Sequence, residues 1–216
     1  MAYFKVIKRK ECWVLTFQGW MLACIVLFSS IIFYTMTIHP YLSVSKPVPA
    51  QILAVEEWIS PHALEGAASE FKAHGYNLLV VLGDERRWVV PMLRGAGVDE
   101  RKIVTIQFER VRKDRTFASA VALRNWLLSS GMSGKAVNVY TLGAHARRSW
   151  LLFSEALGPE SPVGVISCEN QDYDPKAWWE SSEGFKTVID ETISYVYTRL
   201  YFLPAHKTVS SEQENQ

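Results

Sequence analysis

The segment Thr141-Leu142-Gly143-Ala144-His145-Ala146-Arg147-Arg148 concentrates the residue types of this chain best suited to chemistry. A strand passing through Gly143-Ala144 into a helix would present backbone N–H groups at the helix start, a natural seat for an anionic oxygen. Arg147 or Arg148 would add planar, bidentate donors. His145 could give or take a proton near neutral pH. The same residues also suit a surface helix start with solvated side chains, so neighbouring clusters have to decide between the two.

Three further clusters stand before or after apolar runs. Arg112-Lys113-Asp114-Arg115-Thr116 precedes a helical pattern starting near Phe117; Asp114 or Thr116 would cap that helix, and Arg115 and Thr116 would face a phosphate or diphosphate. Glu56 and Glu57 follow an apolar run as candidates for a general base or a metal ligand, and since adjacent carboxylates point apart, at most one of them should face the site. Asp84, after Gly83, is a comparable candidate or a partner for Arg86 or Arg87. The acid–base candidates are therefore His145, Glu56 and Asp84, and the phosphate-binding candidates Arg115, Thr116, Gly143, Arg147 and Arg148. Trp58, Tyr173 and Trp178 could form a platform for substrate or partner, with core packing the competing role of such large rings. No Walker, G-x-G-x-x-G, G-x-S-x-G or C-x-x-C motif occurs, and no His/Asp/Glu set has metal-ligand spacing. Neither a cofactor nor a metal is expected.

Positioning these residues requires a scaffold, and the periodicity supplies one. Short β-branched runs at 51–55, 77–82, 102–107, 136–142 and 163–167 read as strands; amphipathic patterns at 61–74, 88–95, 116–129, 146–156 and 182–200 read as helices. Ser60-Pro61 is a good helix start, and Gly75, Gly131 and Gly158 stand where helices should stop. Apolar strands alternating with helices predict an α/β domain: a mostly parallel sheet of about five strands covered on both faces. In such sheets ligands bind beyond the carboxyl ends of the strands, which is where all four clusters fall.

Composition divides the chain. It has 216 residues, is 49% hydrophobic and carries a net charge of +1, yet residues 12–45 contain no Asp, Glu, Lys or Arg. The apolar stretch at 12–38 exceeds the roughly 20 residues a bilayer requires. Lys5, Lys8, Arg9 and Lys10 precede it, so the positive-inside rule places residues 1–11 in the cytoplasm and the domain outside. A cleavable signal has an apolar core of about 7 to 15 residues and a small-residue exit; this run is longer and leaves through Thr37-Ile38-His39-Pro40-Tyr41. Met21-Leu22-Ala23-Cys24 faintly resembles a lipoprotein box, but apolar sequence continues well past Cys24. Residues 39–50, with Pro47 and Pro49, read as a stiff linker, 51–203 as the domain, and 204–216 as a disordered tail. Near-neutral charge argues against a nucleic-acid binder. With Cys168 alone beyond the apolar segment, no disulfide can form inside the domain.

In order and spacing, residues 51–202 resemble the SanA/ElyC/YdcF-type bacterial envelope proteins. The resemblance rests on the acidic-Trp turn ending at Trp58, the strand ending in Gly83, the helix start Arg115-Thr116-Phe117-Ala118-Ser119-Ala120, and the strand-turn-helix around His145, Arg147 and Arg148. Tyr173-Asp174-Pro175 and Trp178-Trp179 look like a membrane-anchored subgroup associated with exopolysaccharide-type loci. Two departures touch the crevice: Thr116 is followed by Ser119 where many members have T-x-x-N, and Gly83-Asp84 replaces Gly-Gly. The resemblance implies a Rossmann-like domain on a single-pass anchor in the bacterial inner membrane, facing the periplasm. It also implies a role in envelope polysaccharide or peptidoglycan-precursor metabolism.

The expected function follows from both lines. The domain should bind, and could transfer or hydrolyse, a phosphorylated or lipid-linked envelope intermediate such as a polyprenyl-phosphate-linked sugar, at the surface of the lipid bilayer. The alternative is a non-catalytic regulator or assembly factor whose anchor, last helix and Trp pair contact membrane polysaccharide-synthesis proteins. A nucleotide-type ligand rests on fold analogy alone.

Overall fold

The computed structural model describes residues 15–83, 87–108 and 114–202. The basic N-terminal segment, Asp84 with Arg86, Arg112-Lys113 and the predicted tail lie outside the described residues. The chain forms two compact units that divide between Thr37 and Ile38.

The first unit is dominated by helix α1 (Phe17–Leu42), whose last residues, 38–42, belong to the second. Its most apolar stretch carries no buried residue, and its length and composition suffice to cross a membrane. The helix continues through Pro40, and the Ser43 N–H still reaches the His39 carbonyl at 2.8 Å.

The second unit alternates strand and helix from β1 (Ile52–Glu56) through α2 (Pro61–Ala73), β2 (Leu78–Leu82), α3 (Val89–Gly95), β3 (Ile103–Ile106), α4 (Arg115–Ser129), β4 (Val137–Leu142), α5 (Ala146–Leu157) and β5 (Val163–Cys168) to α6 (Ser182–Tyr197). All four pairings are parallel, in the order β3-β2-β1-β4-β5. The period of two in the strands sorts their side chains onto two faces. Leu53, Val55, Leu79 and Val81 pack with Ala63, Leu64, Ala67 and Leu93 of α2 and α3. Ile52, Ala54, Val80, Leu82, Val137 and Val139 pack with Leu123, Leu127, Phe153 and Leu157 of α4 and α5. This is the Rossmann-like α/β arrangement. Its strand order reverses between β1 and β4, opening a crevice at their carboxyl ends.

Local sequence explains the helix starts. Ser60 accepts a hydrogen bond from the Ala63 N–H, Asp114 from Phe117, and Ser181 from Gly184. Asp114, rather than Thr116, is thus the cap of α4, which frees the Thr116 hydroxyl for other contacts. Gly83 follows β2 at φ +126°, where a Cβ would collide with the Glu57 carboxyl group.

The segment between α1 and β1 is docked along much of its length. Lys46 exchanges both backbone hydrogen bonds with Val165 in an antiparallel bridge, at 2.8 and 3.1 Å. Buried Asn138 grips the backbone of Val48 through both ends of its amide, each at 2.9 Å, and also donates to the Tyr76 hydroxyl.

Candidate functional site

Glu56 ends β1, Thr116 stands in the first turn of α4, and His145 follows β4, so three separate strand–helix units deliver side chains to the reversal point. The cavity there has a volume of about 470 Å³ and is lined by residues that include Glu56, Glu57, Trp58, Arg115, Thr116 and His145. Phe108, Asp114, Ser119, Arg148 and Glu191 complete most of its wall.

His145 is buried and contacted on every polar side. Its Nδ1 lies 2.8 Å from Glu191 Oε1. A carboxylate can only accept, so this bond calls for a proton on Nδ1, although Arg148 Nη2 also lies 3.1 Å from that nitrogen, and Nε2 is the nitrogen turned to the cavity. Nε2 is 3.4 Å from the Thr116 hydroxyl and 3.7 Å from Glu56 Oε2. The Trp58 ring meets the imidazole edge-on, with centroids 4.9 Å apart. Glu56 is held in turn by hydroxyl donors from Thr141, at 3.3 Å, and Ser149, at 3.4 Å.

Arg148 braces the same pair. Its Nε and Nη2 reach the two oxygens of Glu191 at 2.9 and 3.2 Å, the fork-to-fork geometry that orients both groups, while Nη1 lies 3.7 Å from Asp114. Burial alone would raise the Glu191 carboxyl, but hydrogen bonds and charge from His145 and Arg148 outweigh it and bring it down to about 2. Burial likewise opposes the Arg148 charge, and the carboxylates around it more than compensate. The result is a carboxylate–imidazole pair braced by Arg148, with Nε2 turned to the cavity as the atom available for proton exchange.

The sequence candidates separate cleanly by position. Glu56, Trp58, Arg115, Thr116, His145 and Arg148 share the cavity wall. Gly143 and Arg147 stand outside that wall. Gly143, at φ +47°, makes the turn and gives its carbonyl to the Ser167 hydroxyl at 3.1 Å. Ala144 is buried and the Tyr173 hydroxyl packs against Gly143, so this part of the expected backbone anion seat is covered. Arg147 stacks on the Tyr41 ring 3.8 Å away and donates to the Tyr41 carbonyl. Tyr173 is buried behind the turn, and burial followed by the charge of Glu191 pushes its phenol up to about 12, so it remains protonated. Trp178 is 1% exposed and packs against Trp179 and Phe185; it presents no face to a ligand. Asp84 lies outside the described residues.

Glu191 is the participant that the sequence motifs miss. The available signal was its place on the inward stripe of α6, one turn beyond buried Val188 and on the line running from Gly184 to Thr198. Among the lining residues, four carboxylates, Glu56, Glu57, Asp114 and Glu191, outnumber the two guanidinium groups of Arg115 and Arg148. Arg148 is committed to Glu191, and among the described residues Arg115 has no carboxylate partner, which makes Arg115 the cation offered to a ligand.

The chain was compared with models of known protein families and with curated proteins, and it matches none of them. The chemistry of the site therefore rests on its geometry.

Proposed function

We propose that the domain binds a phosphorylated or lipid-linked envelope saccharide and catalyses transfer or hydrolysis at its phosphate ester, with His145 moving the proton. The observation that carries this reading is the convergence of Glu56, Arg115 and Thr116 on the His145–Glu191 pair in one cavity at the strand-order reversal. Arg115 would receive the anionic oxygen, and Thr116 would donate to it. The excess of carboxylates and the Trp58 ring suit the hydroxyl-rich portion of the ligand, since carboxylates accept hydroxyl hydrogens and aromatic faces pack on sugar rings.

In the reaction, water or an acceptor hydroxyl loses its proton to His145 Nε2 as its oxygen bonds to phosphorus. The ester P–O bond breaks, and the leaving oxygen takes the proton back from the imidazolium. Glu191 balances the charge of that imidazolium, and Glu56 adds a fixed negative charge on its other side. The apolar helix α1 would hold the domain at the periplasmic face of the bacterial inner membrane, where polyprenyl-linked intermediates reside. The basic residues at Lys5, Lys8, Arg9 and Lys10 support that orientation. Membership of the SanA/ElyC/YdcF-type family is supported by the fact that Thr116, His145 and Arg148, three of the residues behind the resemblance, line this same cavity.

The test is direct binding and turnover with the full chain in detergent micelles, using a polyprenyl phosphate and a polyprenyl-diphosphate-linked disaccharide. Wild type should bind, and Arg115→Ala should weaken binding at least about tenfold, the scale of one charge-assisted contact. His145→Ala should abolish turnover while retaining binding. Equal affinity in wild type and Arg115→Ala, together with no turnover by either, would reject the proposal.

One observation favours a second reading as a non-catalytic regulator or assembly factor. Ile193, Val196, Tyr197, Leu200 and Tyr201 are exposed along one face of the last helix, an uncommon concentration of apolar surface. Co-purification of a membrane polysaccharide-synthesis protein that survives His145→Ala but is lost in Ile193→Asp would support it.

A further inference from the structure

The residues around His145 and Glu191 include two from an unexpected source. The last turn of α1, residues 38–42, belongs to the same compact unit as the cavity, and it touches both elements that carry the pair. His39 is 6% exposed, and its Nε2 lies 3.1 Å from the Tyr173 hydroxyl, with the rings edge to face at 5.6 Å. That same hydroxyl packs on the turn that carries His145, 3.5 Å from where a Cβ on Gly143 would stand. Two residues further along α1, Tyr41 holds Arg147 through its carbonyl and its ring. The turn bearing His145 is thus gripped on both sides. The Tyr41 hydroxyl also reaches the Tyr195 hydroxyl at 3.1 Å, and Tyr195 lies one helical turn after Glu191 on α6.

We infer that the last turn of the apolar helix is a positioning device for the His145–Glu191 pair, with His39 and Tyr41 as positioning residues acting through Tyr173, Arg147 and Tyr195. The physical argument is one of constraint. The 2.8 Å bond between His145 and Glu191 joins a tight turn to a separate helix, and such a bond persists only where both supports are fixed. The turn has its φ +47° glycine and no side-chain cap hydrogen bond at its start. Ser167 holds its Gly143 carbonyl and Glu191 holds Arg148, and the remaining supports, the Tyr173 hydroxyl packed on Gly143 and the Tyr41 contacts of Arg147, lead to α1. A group that would otherwise serve only to hold the protein in a bilayer therefore forms part of the scaffold of the cavity. The inference concerns the pair itself and holds whichever ligand enters the cavity.

The experiment reads the imidazole of His145 rather than activity. Full-length protein in detergent micelles, labelled with ¹⁵N at histidine and assigned with His145→Gln, should show His145 as one tautomer, with Nδ1 protonated and its proton shifted downfield by the carboxylate. In His39→Ala and in Arg147→Ala that proton signal should be lost and the two nitrogen shifts should move towards their averaged values. His39→Gln, whose amide can reach the position of Nε2, should restore the signal. Leu127→Ala, remote from the turn in the core between the sheet and α4, serves as the control: it should lower the melting temperature and leave the His145 signals unchanged. Should His39→Ala fail to fold, Tyr173→Phe removes the linking hydroxyl while keeping the ring, and is judged by the same signal. An unaltered Nδ1–H resonance in the folded variants overturns the inference, whether or not any ligand or turnover is found.

Discussion

Glu191 lies 2.8 Å from His145 although 46 residues separate them in the chain. Their contact joins the last helix to the turn after β4 and fixes which imidazole nitrogen faces the cavity. The carboxylate's low proton affinity gives the pair a signature in stability. Its folded-state value of about 2 lies below the ordinary value of 4.5, so the ionised group stabilises the fold at every pH above about 4.5, and the contribution fades as pH falls towards 2. The shift corresponds to roughly 3 kcal/mol. Denaturant titrations should find wild type more stable than Glu191→Gln at pH 7, with the gap closing between pH 4.5 and 2; a gap that stays constant over that range would contradict the assignment.

Gly83 should tolerate no side chain. Its φ of +126° and its contact with the Glu57 carboxyl group leave no room for a Cβ. Gly83→Ala is expected to cost about 2 to 4 kcal/mol, as a strained backbone and a steric clash add. Removing the clash in Glu57→Ala/Gly83→Ala should recover only part of this, because the backbone strain remains. Thermal denaturation of the two variants separates the contributions.

The tryptophans should differ in kind. Trp178 is buried and stacked, so Trp178→Ala should lower stability by about 3 to 5 kcal/mol. Trp58 is only partly buried and borders the cavity, so Trp58→Ala should cost much less stability and instead weaken the saccharide binding proposed above. Comparable destabilisation by both would show that Trp58 is a packing residue after all.

Helix α1 offers a test by insertion. Ile25 lies in its most apolar stretch and is exposed. Ile25→Arg should penalise bilayer insertion by about 3 kcal/mol, whereas Ile25→Leu should be neutral. The fraction of protein resisting alkaline extraction from membranes measures the difference.

Much of this fold was legible because its strands are β-branched and its helices carry explicit caps. β2 and β4 begin one residue inside the predicted runs and end with them at Leu82 and Leu142, and Ser60-Pro61 starts α2 as expected. The parallel sheet follows from the alternation itself. Boundaries were less legible where tertiary contacts override local preference. Pro40 reads as the end of a span, yet His39 and Tyr41 gain partners in the domain that carry the helix on to Leu42. The last helix was read through to Leu200; α-helical bonding ends at Tyr197, and a wider π turn continues to Phe202. Of the site, the strand-end residues Glu56, Thr116 and His145 were visible because topology dictates where strand ends meet. Glu191 was not, since the stripe of α6 shows only that it turns inward, and its partner depends on how α6 packs on the turn after β4 and on α5. The direction of Arg147 was equally hidden: it and Arg148 are adjacent in sequence and diverge around the helix, one to Tyr41 and the other to Glu191.

The antiparallel bridge between Lys46 and Val165 has a meaning beyond tethering. β5 is the terminal strand of a parallel sheet, and a terminal strand displays unpaired amides and carbonyls to which a foreign strand can bind. Here the chain supplies its own cover: Lys46 takes both ladder bonds of Val165, and Ser45 accepts the N–H of Ser167 through its hydroxyl. Pro47, which follows at once, cannot extend the ladder. A short stretch of connecting chain thus caps the sheet and stops, which shields this edge from pairing with a strand of another copy.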